Sequence, residues 1–390
     1  QPLKQLKHFK RLYLKKGEEK RISFFITKDD LAIINKDMQA VVESGDFTIM
    51  IGADSNDIKL TEVIAVDDRK GILEEEFVDT AKLPSVHSAT IEETPTGLVT
   101  AFFGGEYEGH SNVGIYVSRQ VDSHWTTPVR VAEGIVNATE KKACYNPVLY
   151  QVPGKELILF YKTGNNVQDW TGYLIRSFDH GVTWSAPEAL PEGFLGPTKN
   201  RPLLVDGTLI CGSSTENKGW QVHFEFTKNS GKTWSKTQPL NDNKWDIIQP
   251  SILSHKDGRL QMLCRSRNGA VVSSFSSDKG KSWGEPFALD LPNNNSGIDA
   301  ITLQDGRFLI VYNHVKASES AYLDKKRTPL NVAVSEDGIH WTESLVLEDS
   351  PVKEYSYPSV IQGKDGMIHI VYTWRREKIK YVKVDPTQLL

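Results

Sequence analysis

His87, Asn146, Arg201, Gln249, Asp299 and Tyr357 hold the same position in six repeated strand–turn–strand segments, and all six are polar. Each opens an extended apolar run that enters a glycine turn and returns, as in Asn146-Pro147-Val148-Leu149-Tyr150 before Gly154 or Tyr357-Pro358-Ser359-Val360-Ile361 before Gly366. The returning segments end on a second polar set: Glu106, Lys162, Glu216, Arg265, Asn313, and Trp374 with Arg375. Cations can hold an anion, carboxylates can move protons, and aromatic rings can stack on a pyranose, so the mixture suits a sugar acid. The competing reading of the first set is a wet central channel, which accepts any polar side chain.

Such residues act together only if the repeats bring them to one place. The turn glycines Gly97, Gly154, Gly207, Gly258, Gly306 and Gly366 recur at intervals of 48 to 60 residues, the length of one four-stranded blade. Four of the turns are Asp-Gly (Asp206, Asp257, Asp305, Asp365), a hairpin signal because both residues tolerate positive φ. A second landmark, S-x-D-x-G-x-x-W, closes the repeats at 177–184 and 276–283, with looser versions at 227–234, 335–341 and 118–125. Its Asp or Asn ties down a tight turn, its Gly supplies the left-handed residue and its Trp plugs the gap to the next strand, so these boxes read as structural staples. Strand periodicity with no helical stretch in the repeats predicts an all-β region, and radial repetition removes long exposed edges. The expectation is a six-bladed β-propeller over 83–390, with both polar sets around one axial pocket.

The S-x-D-x-G-x-x-W boxes resemble the Asp-boxes, or bacterial neuraminidase repeats, of the sialidase superfamily, whose fold is a six-bladed β-propeller; the resemblance covers 83–390. That family grips its substrate carboxylate with three arginines, attacks with a tyrosine activated by a glutamate, and uses an aspartate as acid/base. The resemblance implies that Arg265, in Leu263-Cys264-Arg265-Ser266-Arg267, is the second arginine. It makes Arg327, in Arg327-Thr328-Pro329-Leu330-Asn331, the third, and Tyr355, in Tyr355-Ser356-Tyr357-Pro358, the nucleophile. Elsewhere the chain departs from the pattern. His87-Ser88-Ala89 stands in place of Arg-Ile-Pro, Gln249 in place of the activating glutamate, and Glu106-Tyr107-Glu108-Gly109-His110-Ser111-Asn112 holds no Asp where the acid/base belongs.

Three readings follow. In the first, a sialidase-like hydrolase, Arg265 and Arg327 hold a terminal acidic or polar sugar while Glu106, Glu216 and Asp299 supply the acid/base carboxylates. In the second, a uronate lyase, the arginines neutralise the carboxylate and His87 or Tyr355 removes the C5 proton; His in place of Arg favours this, because imidazole titrates near neutrality. The third is a non-catalytic carbohydrate-binding propeller that stacks sugars on Trp170, Trp220, Trp245 and Trp374. In all of them Asn146, Lys162, Arg201, Gln249, Asn313, Tyr357 and Trp374 complete the substrate contacts, the partner is an oligo- or polysaccharide, and no cofactor is expected.

Residues 1–66 follow another pattern. Phe9, Leu12 and Leu14, then Ile22, Phe24 and Ile26, then Phe47, Ile49 and Ile51 alternate as half-buried strands of a small β-sandwich. Segments such as Leu6-Lys7-His8-Phe9-Lys10-Arg11, Leu14-Lys15-Lys16-Gly17-Glu18 and Gly45-Asp46-Phe47 resemble the fibronectin-III-like domain that ends family 3 β-glucosidases, entered partway. The resemblance implies a non-catalytic module with an open sheet edge, covered by the propeller, a partner copy or an upstream segment. It also implies a secreted or periplasmic glycan-degrading setting. The stretch 67–82, with Asp67, Asp68, Glu74, Glu75, Glu76 and Asp79, is expected to be an acidic linker.

Composition narrows the alternatives. Lys and Arg number 46 against 50 Asp and Glu, a net charge of -4, so no broad basic field favours nucleic acid. The three cysteines are too few for a disulfide framework and read as core fillers. No apolar stretch approaches the roughly 20 residues that cross a bilayer, and no nucleotide-binding glycine motif or paired-histidine metal motif occurs.

Overall fold

The computed structural model describes residues 4–34, 38, 40–42, 45–66, 69, 71–137, 139–240, 244–316, 327–352 and 354–389. The chain divides into two compact units, Gln1–Lys70 and Gly71–Leu390.

The second unit is a six-bladed β-propeller of antiparallel sheets. Its inner strands are Ser85–Thr94, Lys141–Gln151, Leu203–Val205, Ile247–Ser254, Asp299–Thr302 and Tyr355–Gln362, each hydrogen-bonded to the next strand along the chain. The second strands are buried almost throughout, because each sheet is covered by a neighbouring blade on both faces. Apolar layers fill the gaps between blades; Phe224 of blade 3, for example, stacks on Trp283 of the blade 4 box at 4.3 Å.

The box turns are staples. Asp179 accepts the backbone N–H of Thr183 at 2.8 Å and its hydroxyl at 2.6 Å, which lowers its carboxyl to about 2, and Gly181 N–H donates to Ser177 Oγ at 2.7 Å. Asp278 repeats this with Ser282, and Asn229 with Thr233. The indole N–H groups of Trp234, Trp283 and Trp341 donate to the carbonyls of Gly231, Gly280 and Gly338.

The ring closes differently from the expected linker. Ile72–Val78 is the outermost strand of blade 6, paired antiparallel with Lys378–Val384, so the propeller begins at Gly71 and its two chain ends share one sheet. Glu75 pairs with Lys380 at 2.9 Å and Glu74 with Lys383 at 3.6 Å, Glu76 is partly buried, and Val78 is buried against Val86, Ile379 and Tyr381. The sequence Ile72-Leu73-Glu74-Glu75-Glu76-Phe77-Val78 has no alternation that would mark a strand; its pairing with Lys378–Val384 makes it one. Asp67 and Asp68 lie outside the described residues.

In the first unit Gly45–Gly52 and Ile58–Val66 form a hairpin that pairs Phe47 with Ile64 and Ile49 with Glu62. Ile33–Ile34 pairs with Ala40–Val41, and a capping box on Thr27 starts the short helix Lys28–Leu31. The third predicted strand is therefore present, whereas the runs around Phe9 and Phe24 carry no strand; Phe9 is 80% and Phe25 83% exposed, with no sheet face packed on them. The sequence also reads Ser44-Gly45-Asp46 as a turn before the third run, and Ser44 lies outside the described residues.

If blade 6 is held by the strand at 72–78, Val78→Asp should cost at least about 3 kcal/mol in denaturant unfolding. Val129→Asp, on the 62%-exposed outer strand of blade 1, should stay within about 0.5 kcal/mol.

Candidate active site

Four inner strands break register at the same step: between His87 and Thr90, Tyr145 and Val148, Ile248 and Ser251, and Ser356 and Ser359. In each bulge one residue takes a left-handed conformation: Ser88 (φ 54°), Asn146 (φ 35°), Gln249 (φ 56°) and Tyr357 (φ 52°). A bulge re-aims a side chain that regular alternation would place elsewhere. The equivalent of Asn146, Gln249 and Tyr357 is thus Ser88, one residue past the His87 that sequence spacing aligned with them.

Tyr357 is the centre of the site. Arg265 Nη1 donates to its hydroxyl at 2.7 Å and to Gln249 Oε1 at 3.2 Å, and Gln249 Nε2 approaches the same hydroxyl at 3.5 Å. The His87 ring lies 4.3 Å from the Tyr357 ring, the Arg327 guanidinium 5.4 Å and the Arg265 guanidinium 5.5 Å. Arg265 also sits 5.0 Å above Trp220, whose indole N–H donates to Glu216 at 2.9 Å, and Arg267 covers the same ring at 4.0 Å. Asn295, on the 293–298 loop, accepts from Arg265 Nη2 at 3.2 Å, while the buried Arg265 Nε has no partner.

Arg376 is a third guanidinium that sequence spacing missed. It follows the second strand of blade 6, accepts the N–H of Val86 at its carbonyl (2.9 Å), and so stands beside His87 across the junction of blades 6 and 1. Glu354 accepts from Arg327 at 2.9 Å and from Arg376 at 3.2 Å, and Glu108 pairs with the other end of Arg376 at 2.5 Å. The signal was present in Trp374-Arg375-Arg376, but a loop cation after a strand has no spacing that assigns it to a neighbouring blade's pocket.

Electrostatics follow from burial among these cations. His87 is held well below its usual 6.5, first by burial and then by Arg376, Arg327, Arg265 and Lys199, so it is a neutral imidazole at pH 7. Burial would raise Glu354, but Arg327 and Arg376 hold it below the usual carboxylate range.

Several expected site residues do other work. Tyr355, implied as the nucleophile, is fully buried in the apolar layer between blades 5 and 6, and its hydroxyl accepts from Arg375 at 3.2 Å. The bulge at 356–359 separates it from Tyr357, which takes the hub position instead. Asp299 is saturated by Ser251 Oγ (3.0 Å) and the N–H groups of Ala300 (2.9 Å) and Val360 (3.0 Å), tying three inner strands together below the pocket. Burial raises its pKa. Lys199, which burial lowers to about 8, donates to the Ile298 and Pro358 carbonyls and fills the axis nearby. Lys162, lowered to about 7 by burial, donates to the Asn146 and Pro197 carbonyls, and Asn146 donates to Thr198 O at 3.1 Å, so both lock blade 2 to the 195–202 segment. Arg201 leaves the hub and pairs with Glu92 at 2.7 Å. Asn313 donates to Pro329 O and Tyr355 O, bracing the segment that carries Arg327. Trp374 packs edge-on against Phe77 at 5.2 Å, towards the outer strand. Glu106 is exposed at the rim of the same loop as Glu108. Among the described residues no group of three His, Cys, Asp or Glu is arranged to hold a metal ion.

The geometry can be set beside known proteins. Residues 96–370 match the BNR repeat-like domain family. The chain belongs to that family. A Hadza microbial sialidase superposes with a TM-score of 0.68 at 16% identity, covering 85% of this chain and 73% of that one. A sialidase from Streptococcus pneumoniae gives 0.63 at 12% identity over 86% and 75%. A Dyadobacter fermentans protein described as of unknown function gives 0.66 at 15% identity over 82% and 100%. These likenesses show a shared sialidase-like propeller fold. Residues 1–55 match the fibronectin type III-like domain. A β-xylosidase of Formosa agariphila is 55% identical over 53 residues, 14% of this chain and 7% of that protein. The thermostable β-glucosidase B of Acetivibrio thermocellus is 42% identical over 67 residues, so the chain spans less than a tenth of either relative.

The His87 environment is testable by pH. The unfolded imidazole gains a proton as pH falls through about 6.5 and the folded one does not, so this residue makes acidification below that point destabilising. Ring 15N shifts should report a neutral His87 at about pH 6.5, where a free imidazole is half protonated, and a half-cationic signal there would refute the environment described.

Proposed function

We propose that this chain is a sialidase-like glycosidase whose hub takes a terminal acidic sugar. The observation that carries the proposal is the convergence of Arg265, Arg327 and Arg376 around the buried Tyr357–His87 pair. Guanidinium forks bind carboxylates through charge-assisted, directional hydrogen bonds, and a buried site makes them selective for that charge. Arg376 supplies the cation that His87 lacks at the first-arginine position. Tyr357 then lies where a sugar ring held by its carboxylate presents its reacting carbon, and Glu108, on the rim loop, can take up a proton and give it to the departing oxygen once the sugar carboxylate displaces it from Arg376.

One observation favours a second reading, β-elimination from a uronate. The neighbours of the Tyr357 hydroxyl are Arg265 and Gln249, neither able to accept its proton, and a neutral imidazole lies beside it. In that chemistry the arginines neutralise the carboxylate and His87 takes the C5 proton. Tyr357 gives its proton to the leaving oxygen, and the C4–O bond breaks as the C4=C5 double bond forms.

Incubation with sialosides and uronate-ended oligosaccharides separates the two: hydrolysis yields a saturated reducing sugar, elimination an unsaturated uronate with its ultraviolet absorbance. Arg265→Ala and Arg376→Ala should each lower kcat/KM at least about 30-fold, corresponding to about 2 kcal/mol. Tyr357→Phe should remove turnover, whereas Tyr355→Phe should stay within about five-fold of the wild type. No turnover and no binding of any acidic sugar would overturn the proposal.

A further inference from the structure

A second binding site lies at the opposite end of the propeller axis. The inner strands carry His87, Gln249 and Tyr357 at one end; Glu92 stands five residues beyond His87, about 16 Å along the strand, at the other. Between the ends the axis is filled by Lys199 and by Asp299 with its bonds to Ser251 and Val360, so the two ends do not share a cavity. The far end opens into a depression of about 980 Å³, at the upper limit of the range of about 300–1,000 Å³ typical of small-molecule sites.

We infer that this depression binds a neutral oligosaccharide, independently of the hub. Its formal charges balance: Glu92, Glu93 and Glu156 stand against Lys155, Arg201 and Lys364, with Arg201 paired to Glu92. No uncompensated field therefore selects an ion, in contrast to the cation-rich hub. Within this balanced lining lie hydrogen-bonding groups beside an aromatic ring. Arg201 is 36% exposed, is held flat over Tyr150 at 5.1 Å, and spends Nε and Nη2 on Glu92, leaving Nη1 as a donor. Gln304 gives its amide N–H to the Gly363 carbonyl, leaving its amide oxygen as an acceptor. A sugar hydroxyl both donates and accepts, so this donor and acceptor suit it. Phe178, 75% exposed at the rim, supplies the face on which a pyranose ring stacks. Phe178 belongs to the blade 2 box turn, whose fold is held by Ser177 and Asp179; its ring is free of that role.

The test is calorimetric titration with xylohexaose, cellohexaose and maltohexaose, each a neutral chain with no carboxylate for the hub. Wild type should bind at least one, Phe178→Ala should weaken that affinity at least about five-fold, and Phe178→Trp should retain it. Arg265→Ala, which disables the hub, should bind the hexaose as wild type does. Phe178 is exposed, so its variants should keep the wild-type melting temperature. No binding of any of the three, an affinity unchanged in Phe178→Ala, or loss of binding in Arg265→Ala would each overturn the inference. Because no readout uses turnover, failure here is distinct from failure of the glycosidase proposal.

Discussion

The pairing of Ile72–Val78 with Lys378–Val384 is the constraint on which the rest depends, because it closes a ring whose active end lies on the closure seam. His87 and Val86 come from the first blade; Tyr357, Thr373 and Arg376 come from the last. Across that seam His87 Nδ1 meets Thr373 Oγ1 at 2.9 Å and Val86 N–H donates to the Arg376 carbonyl at 2.9 Å. A strand from the start of the unit zipped to the end of the chain converts two distant pieces of sequence into adjacent walls of one pocket. The closing strand also covers the outer edge of Lys378–Val384, which would otherwise stand open to edge-to-edge association.

Below the pocket the chain solves a second problem, that of burying charged side chains where the inner strands converge. Asp299 accepts from three groups on three strands, and Lys199 donates to the carbonyl of Pro358 on one of them and of Ile298 just before another. Each is a buried charge satisfied by hydrogen bonds as well as by the other's field, the arrangement in which such charges are tolerated, and removing one member of such a pair typically costs about 3–5 kcal/mol. This plug gives the hub a rigid floor and separates it from the depression at the far end. Above the plug the charge balance shifts: Arg265, Arg327 and Arg376 face Glu354, Glu108 and Glu216, and burial makes His87 neutral rather than a fourth cation. Pre-positioned guanidinium groups around a neutral imidazole and a phenol form a site that gains most from an anionic ligand, since a carboxylate offsets the repulsion among the arginines.

The repeats, the box turns and the identities of Arg265, Arg327, Gln249 and His87 as hub residues were legible because each lies in a segment whose pattern recurs or whose neighbours are distinctive. Tyr355 and Tyr357 illustrate the limit. Regular alternation would send both side chains to the same face, and the sequence contains nothing that says where a bulge will fall; the left-handed residue at 357 sends them apart. Asp299 lies on an inner strand as expected and Arg201 just before one, but position along the chain does not state depth along the axis, and a few residues of depth separate a pocket wall from a plug or from the opposite mouth. Lys162 fails for the same reason, its long stem turning inward to two carbonyls.

Local sequence therefore determined what is periodic or short-range: the β class, the six blades, the staple turns and the polar character of the hub. These depend on side-chain alternation and on bonds between residues a few positions apart, which the order of residues specifies directly. Tertiary structure alone decided which chain ends close the ring, that Arg376 serves the hub, and which polar groups are saturated by neighbours. Those outcomes rest on contacts between residues hundreds of positions apart, such as His87 with Thr373 and Arg201 with Glu92, and burial and hydrogen-bond satisfaction exist only once such contacts form.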